Sequence, residues 1–174
     1  MIIGRFQPFH NGHLHAIKYV MKHEEKIYIG VGSALEAYTK RNPFTFSERF
    51  IMIYDTLVEE GIQPTKFYII PIPDADIHST WVDIVFTLIP KVSKVYTNDP
   101  LTRVLMKERG LTVKPIPLIK REVYAGEEFR RRVVQGENWE EIVPKTVKNI
   151  ILEMKLDQRL RELWLDDKSG KRSL

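Results

Sequence analysis

Two histidines three residues apart, His10 and His13, flank Gly12 where the sequence predicts a turn from a strand into a helix. Apolar residues 1–3 precede the turn, and apolar residues at helical spacing follow it from Leu14. Backbone N–H groups and the positive end of the helix dipole converge at such a turn, which suits a phosphate or another anion. A single histidine near a turn is more often solvated or hydrogen-bonded, but these two imidazoles are placed to touch an anion bound there.

Strand and helix patterns alternate about five times along the chain. The strands are predicted at residues 1–3, 26–32, 66–72, 94–97 and 112–114. This alternation predicts a doubly wound, Rossmann-like α/β fold with a mainly parallel sheet, helices on both faces and a helical C-terminal segment. Because ligands bind beyond the carboxyl ends of such strands, the chemistry should come from residues 10–13, 33–49, 73–81, 98–99 and 120–130.

Local signals predict where two of the helices begin. Ser47 is a suitable N-cap for the second helix, with Phe46 and Ile51 as its hydrophobic staple. Asp99 is predicted to cap a later helix whose first position is Pro100.

The pattern becomes helical after residue 136, with an apolar stripe that is more typical of packing than of small-molecule binding. We therefore predict one α/β domain in residues 1–145. Residues 146–174 are predicted to form a C-terminal helix and a tail, frayed from Asp166, packed on the same domain or on a neighbouring subunit.

Composition limits the class of protein. The chain has 174 residues, 43% of them hydrophobic and 29% charged, and contains no cysteine. No segment resembles a membrane helix or a signal peptide, which predicts a soluble, cytoplasmic protein that does not act at a membrane. Without thiolates, a metal ion would need oxygen or imidazole ligands. The net charge of +4 comes without an aromatic and basic stripe, so we expect an anionic small molecule and no nucleic acid as the partner.

The segment of residues 4–13 resembles the His-x-Gly-His signature of the nucleotidylyltransferase superfamily, and more narrowly that of the archaeal nicotinamide-nucleotide adenylyltransferases. The resemblance spans about residues 2–145. Further similar motifs follow in order: Gly32-Ser33-Ala34, Arg41-Asn42-Pro43-Phe44-Thr45 with Glu48-Arg49, Tyr68-Ile69-Ile70-Pro71, Trp81-Val82, and Tyr124-Ala125-Gly126 before Arg130-Arg131-Arg132.

The resemblance implies adenylyl transfer from ATP to the 5′-phosphate of nicotinamide mononucleotide (NMN), giving NAD and pyrophosphate. It also implies Mg²⁺ held mainly by the phosphates, and a homo-oligomer, for which a hexamer is the habit of the family. The attacking oxygen belongs to NMN, so the reaction needs no protein nucleophile. The work left to the protein is positioning the substrates and neutralising the charge that develops on the phosphates.

For ATP, the resemblance implies a catalytic group of His10, His13 and Arg5, in which His13 stabilises the transition state at the α-phosphate. Arg130, in preference to its neighbours Arg131 and Arg132, is implied to hold the β- and γ-phosphates. Asn98 is implied to read the ribose or the base. The remaining implied ATP-site residues are Gly4, Phe6, Gly12 and Gly126.

For NMN, Trp81 is the implied stacking partner, because a cationic pyridinium is attracted to an indole face. The alternative is a core tryptophan on an apolar helix. Arg41 and Arg49 are implied NMN contacts, with ordinary surface ion pairs as the alternative, and Ser33 is implied to bind the ribose or phosphate.

The chain departs from the family at Ala125-Gly126-Glu127, where Ser-Gly-Thr is common. Two hydroxyl donors are lost, and Glu127 repels a triphosphate unless it points away or meets magnesium.

Two other functions remain open on the sequence. The same fold could transfer an adenylyl or cytidylyl group to phosphopantetheine, FMN or an alcohol phosphate, although Trp81 and residues 41–45 argue against this. A protein that binds nucleotide or RNA without catalysis is the third possibility.

Overall fold

Five parallel strands form one sheet with the order β3-β2-β1-β4-β5. The computed structural model describes residues 1–89, 91–117, 119–120 and 122–165. The strands are β1 Ile2–Gly4, β2 Ile27–Val31, β3 Phe67–Pro71, β4 Lys94–Tyr96 and β5 Thr112–Lys114. The described helices are α1 Asn11–Met21, α2 Phe46–Glu59, α3 His78–Leu88, α4 Pro100–Glu108, α5 Gly126–Gln135, α6 Lys145–Glu153 and α7 Leu156–Leu165. The predicted doubly wound α/β fold is confirmed.

The sheet is covered by apolar side chains on both faces. One core cluster contains buried residues of α1, α2, α5, α6 and α7, among them Ile17, Leu57 and Phe129. The other contains buried residues of α3 and α4, among them Val85 and Met106. Since parallel strands need cover on both faces, these two layers fix the edge at which the strand-to-helix loops meet.

The predicted start of α2 is wrong. Thr45, not Ser47, is the N-cap: its side chain accepts from the Glu48 N–H at 3.3 Å, and Glu48 Oε2 accepts from the Thr45 N–H at 2.9 Å. Both Thr45 and Ser47 carry a capping hydroxyl, but only Thr45 has a glutamate three residues later to complete a capping box. Phe46 therefore lies inside the helix rather than before it.

The predicted start of α4 agrees with the structure. Asp99 is its N-cap, with Pro100 in the first turn, and the Asp99 carboxylate accepts from the Thr102 N–H at 2.7 Å.

The C-terminal region contains two helices where one was predicted, because Lys155 adopts a left-handed φ of 54° between α6 and α7. The apolar stripe is used inside this chain: Val147, Ile151 and Leu160 are fully buried in the first core cluster. Helix α6 packs on α2, and α7 packs on α5. The tail from Asp166 lies outside the described residues. Within those residues, no helix is long and apolar enough to cross a membrane.

Candidate active site

His10 and His13 form two reciprocal hydrogen bonds at the start of α1. The His10 ring Nδ1 accepts from the His13 backbone N–H, and the His13 ring Nδ1 accepts from the His10 backbone N–H, both at 3.3 Å. The two rings stack with centroids 3.5 Å apart. Because each Nδ1 is an acceptor, each neutral ring carries its proton on Nε2. The turn thus offers two neutral N–H donors to a ligand.

Burial keeps both imidazoles uncharged at neutral pH. It lowers the pKa of His10 to about 3, with the positive charge of Arg130 adding to the effect. Burial also lowers the pKa of His13 well below its ordinary value, with His10 as the second cause. Part of His13 nevertheless stays accessible at the surface. Each ring can therefore donate a hydrogen bond to a phosphate without first taking up a proton.

The same depressed pKa predicts acid sensitivity. Between pH 6.5 and about pH 3 the unfolded chain binds a proton at His10 that the folded protein does not, so the free energy of unfolding falls as the pH drops. From pH 7 to pH 5, His10 alone contributes a loss of about 2 kcal/mol. Urea unfolding of H10N should show a weaker pH dependence over this range than the wild type. The exposed His23 provides the control, and equal slopes for H10N and H23N would contradict the assignment.

The start of α5 meets the histidine turn. Arg130 is 9% exposed, and its Nη1 donates to the Gln7 carbonyl at 2.8 Å. Burial, together with the charge of Arg5, lowers the pKa of Arg130 to about 10. Arg130 therefore lies beside the histidine turn, close enough for its charge to lower the pKa of His10, although more than 100 residues separate the two in sequence.

Gly126 makes this approach possible. A Cβ atom at Gly126 would lie 2.8 Å from the Gln7 carbonyl oxygen and 3.1 Å from Arg130 Nη1. We expect G126A to push α5 away from the turn, lowering the free energy of unfolding by about 1–3 kcal/mol and raising the KM for ATP. G32A is the matched control, because a Cβ atom at Gly32 would meet only the Gly4 carbonyl at 3.8 Å. Equal free energies of unfolding for G126A and G32A, measured in urea, would show that the close approach at Gly126 does not matter for stability.

Arg5 carries a donor without a partner. Its Nη1 is a buried side-chain nitrogen that makes no hydrogen bond in the described part of the chain. Burial lowers the pKa of Arg5, and the charge of Arg41 lowers it further, against the opposing charges of Asp74 and Glu127. Three guanidinium groups, on Arg5, Arg41 and Arg130, thus lie close enough to repel one another. An anion among them would satisfy the free donor and relieve the repulsion.

Arg41 and Arg130 line one open cleft of about 740 Å³ beside this cluster. Arg41 is exposed at its wall. Glu127 also lines the cleft, and its carboxylate opposes the positive charge of Arg5 and Arg130. The cleft therefore runs along α5, from Ala125 to Gln135.

Arg49, a predicted NMN contact, is held by backbone carbonyls. It is fully buried, so it is not a surface ion pair. Its Nε and both terminal nitrogens donate to five backbone carbonyls, at 2.8–3.5 Å, on Thr45, Arg5, Gly32, Ser33 and Ala34. These bonds use all five N–H groups of the guanidinium, leaving none for an NMN phosphate. Arg49 instead fastens the loops after β1 and β2 to α2.

Three predicted site residues, Gly4, Phe6 and Gly12, shape the turn, and a fourth, Ser33, lies in the loop after β2. A Cβ at Gly4 would lie 3.1 Å from the Phe6 ring, and one at Gly12 would lie 3.1 Å from the His10 ring. The Phe6 ring is buried and lies 4.6 Å from the His13 ring, centroid to centroid. Ser33 is buried beside the loop carbonyls that Arg49 binds. Direct contact of these residues with substrate stays a prediction.

Two further predicted site residues, Asn98 and Trp81, have their own contacts in the fold. Both ends of the Asn98 amide pair with the Ile116 backbone: Nδ2 donates to its carbonyl at 2.7 Å and Oδ1 accepts from its N–H at 3.1 Å. Trp81 is partly buried on α3 and packs against the second core cluster. Its stacking on nicotinamide stays a prediction.

Gln7 is a site residue that sequence reasoning missed. It is 3% exposed; its Nε2 donates to the Phe44 carbonyl and its Oε1 accepts from the Phe44 N–H, both at 2.9 Å. Its own carbonyl binds Arg130. One residue thus joins the histidine turn, the loop before α2 and the start of α5. Its place inside the signature was the available signal, but nothing local reveals a partner 37 residues away.

The fold and the anion cluster together define a nucleotidyl-transferring protein, and the chain belongs to the cytidylyltransferase-like family, whose sequence profile matches residues 1–164. Within that family it belongs to the nicotinamide-nucleotide adenylyltransferases. It is 38% identical to the protein of that name from Thermococcus sibiricus, over 100% of this chain and 94% of the relative. It is 42% identical to the one from Thermoplasma volcanium, over 95% and 92%. The resemblance inferred from the motifs is confirmed.

Solved structures share the fold, and two of them are described here. One is a bifunctional NMN adenylyltransferase/ADP ribose pyrophosphatase from Francisella tularensis, complexed with AMP and a manganese ion. Its TM-score is 0.75 at 23% identity, covering 95% of this chain and 55% of that one. This chain therefore spans about half the length of that protein. The other, a putative nicotinate-nucleotide adenylyltransferase from Vibrio parahaemolyticus, has a TM-score of 0.63 at 13% identity, covering 92% and 93%.

Proposed function

We propose that this chain transfers the adenylyl group of ATP to the 5′-phosphate of NMN, giving NAD and pyrophosphate. The observation that carries the proposal is the buried, unpaired Nη1 of Arg5 among the guanidinium groups of Arg41 and Arg130, beside two neutral imidazole donors. Such a cluster suits a polyphosphate rather than a single carboxylate. The names of the relatives support NMN as the acceptor.

The transfer is a single in-line displacement. An oxygen of the NMN phosphate forms a bond to the α-phosphorus of ATP while the bond from that phosphorus to the bridging oxygen breaks, and pyrophosphate leaves with the electron pair. His13 and His10 donate Nε2–H to the α-phosphate as negative charge builds on it. Arg130 and Arg5 neutralise the leaving pyrophosphate, and Arg41 draws the NMN phosphate toward the α-phosphorus. Arg49 acts indirectly by fixing the loops.

A divalent cation, Mg²⁺ in our proposal, would neutralise further charge on the triphosphate. In the described ranges no group of three or more His, Asp or Glu side chains could hold a metal ion, so the phosphates would supply most of the ligands. The Glu127 carboxylate lines the cleft and is the type of oxygen ligand that Mg²⁺ prefers. We assign Glu127 to the ion or to one of its waters.

The activity is tested by incubating the protein with ATP, Mg²⁺ and one acceptor at a time. NMN should give NAD and one equivalent of pyrophosphate. Phosphopantetheine, FMN and an alcohol phosphate with CTP are the alternative acceptors. Turnover of one of these without NAD from NMN would replace the proposed acceptor, and nucleotide binding without any turnover would replace the enzyme.

For Trp81 we expect the alanine variant to raise the KM for NMN by about fivefold with little change in kcat, because the stack contributes on the order of 1 kcal/mol to a bound cation. Steady-state kinetics at saturating ATP measure this effect. F86A removes a partly buried aromatic from the same helix as a control. An unchanged KM in W81A would make Trp81 a core residue only.

We further propose that the protein is a cytoplasmic homo-oligomer, with a hexamer as its form. Exposed apolar side chains support an interface on the C-terminal helices: Leu152 is 46%, Met154 44% and Leu165 66% exposed. Light scattering during size-exclusion chromatography measures the subunit number directly, and a mass of 20.5 kDa would identify a monomer.

A further inference from the structure

The segment of residues 38–43, here called the Arg41 loop, connects β2 to α2 and reaches the anion cluster. It closes on itself by a turn in which the Thr39 N–H donates to the Asn42 carbonyl at 3.2 Å and Thr39 Oγ1 accepts from the Asn42 N–H at 2.9 Å. Lys40 and Arg41 lie at the tip of this turn and line the cleft opposite Arg130. The position of the tip therefore sets where the Arg41 guanidinium lies.

The loop is held from outside by Arg159 of α7. Arg159 Nη1 and Nη2 donate to Glu48 Oε1 and Oε2 at 2.8 and 2.6 Å, and Nη2 also donates to the Pro43 carbonyl at 3.0 Å. The same guanidinium lies over the Tyr38 ring, 4.9 Å from its centroid. One side chain thus contacts the first and last residues of the loop, from a helix more than 110 residues away in sequence.

A second contact joins the same helix to the tip of the loop. Lys40 Nζ lies 5.2 Å from the centroid of the Trp164 ring, five residues after Arg159 on α7. Trp164 also lines the cleft. The outer wall of the cleft is therefore built jointly by the Arg41 loop and α7.

The contact between Arg159 and Glu48 is stronger than an ordinary surface ion pair. Their side chains are 22% and 10% exposed, and the geometry is bidentate. Burial raises the pKa of Glu48, but the hydrogen bonds from Arg159 and the Thr45 backbone outweigh it and bring the pKa below its ordinary value. Glu48 also completes the capping box of α2, so one carboxylate fixes the end of the loop to both helices.

We propose that Arg159 is a positioning residue for the active site: by clamping residues 38–43 between α2 and α7, it holds the Arg41 guanidinium at the anion cluster. The C-terminal helix then takes part in substrate binding without touching substrate. The functional half of this proposal rests on the adenylyl transfer proposed above. The structural half, that Arg159 keeps the loop closed, does not.

The kinetic test is a double-mutant cycle between Arg159 and Arg41. R41M identifies the substrate that Arg41 binds, which we expect to be NMN. R159M should raise the same KM by about tenfold, with kcat changed less than threefold. In the R41M background the added effect of R159M should disappear, because there is no guanidinium left to position. R161M is the control: in the described part of the chain, Arg161 binds the Val133 carbonyl of α5 and the Asp157 carboxylate rather than the loop.

The second test needs no turnover. Trypsin cleaves after Lys40 and Arg41, so the initial rate of cleavage there, followed by mass spectrometry, measures opening of the loop. R159M should be cut at these bonds at least tenfold faster than the wild type and R161M. R159K keeps the positive charge but loses the bidentate geometry of the guanidinium. Its rate of cleavage should therefore lie between those of R159M and the wild type.

The results separate the possible failures. Faster cleavage without any NAD synthesis would retain the clamp and reject the adenylyl transfer. Unchanged cleavage in folded R159M, or a rise in KM of equal size with and without Arg41, would overturn the clamp. If R159M and R161M changed the KM and the cleavage rate by similar amounts, Arg159 would only anchor α7 and the clamp would likewise be overturned.

Discussion

His13→Ala is expected to lower kcat by about 10²–10³-fold, the loss found when one donor to a transition-state oxyanion is removed. The KM for NMN should change little, because the donor acts on the charge that develops at the α-phosphate. Burial keeps the pKa of His13 low and its ring neutral, and the reciprocal bond with His10 directs its Nε2–H outward from the helix cap. Steady-state kinetics at saturating ATP provide the measurement.

His15, two residues along the same helix, provides the matched control. H15A should retain near wild-type kcat. If H13A instead raised the KM for NMN or ATP and left kcat intact, His13 would bind the ground state and the assigned role would be wrong. Urea unfolding of both variants separates these effects from loss of the helix cap, since His13 Nδ1 also accepts from the His10 N–H.

The second large effect is expected on stability rather than on chemistry. Arg49→Met removes a donor from five carbonyls. The carbonyls of Thr45 and Ser33 keep the backbone N–H groups of residue 49 and Glu36, but those of Arg5, Gly32 and Ala34 lose their donor, and we expect a loss of about 3–5 kcal/mol in the free energy of unfolding. Denaturant unfolding measures the loss. R49K retains the charge but has fewer donors, so its free energy of unfolding should lie between those of the wild type and R49M. It serves as the test variant if R49M does not fold.

Arg131 on the exposed face of α5 is the control for removing an arginine. It pairs with Glu128 and Glu137 at the surface, and R131M should change stability little. If R49M were as stable as R131M and only its KM for NMN rose, Arg49 would be a direct ligand, as its motif suggests. Our assignment of Arg49 to the loops would then fail.

Arg49 also illustrates what the sequence could and could not predict. The α/β alternation could be predicted because it depends on local periodicity. The family could be predicted because its motifs occur in a fixed order along the chain. The role of Arg49 depends on carbonyls at residues 5 and 32–34, which a backbone offers at every position and which carry no residue-type signal. Gln7 and Arg159 were missed because their partners lie 37 and 111 residues away in sequence.

The start of α2 shows a local failure of another kind. Thr45 and Ser47 are both capping residues, and the hydrophobic staple favoured Ser47. The deciding feature was the glutamate at residue 48, which serves Thr45 alone and is itself held by Arg159 from α7. A tertiary contact thus reinforces the choice between two local signals.

In the proposed reaction the NMN phosphate attacks the α-phosphorus directly while the cluster of histidines and arginines neutralises charge. This direct attack is tested by the stereochemistry of transfer from one diastereomer of ATPαS, in which sulfur replaces a non-bridging oxygen of the α-phosphate, to NMN. A single in-line displacement predicts inverted configuration at the adenylyl phosphorus of the NAD product, which carries the sulfur. Retention would require two displacements through a covalent adenylyl-enzyme and would contradict the account.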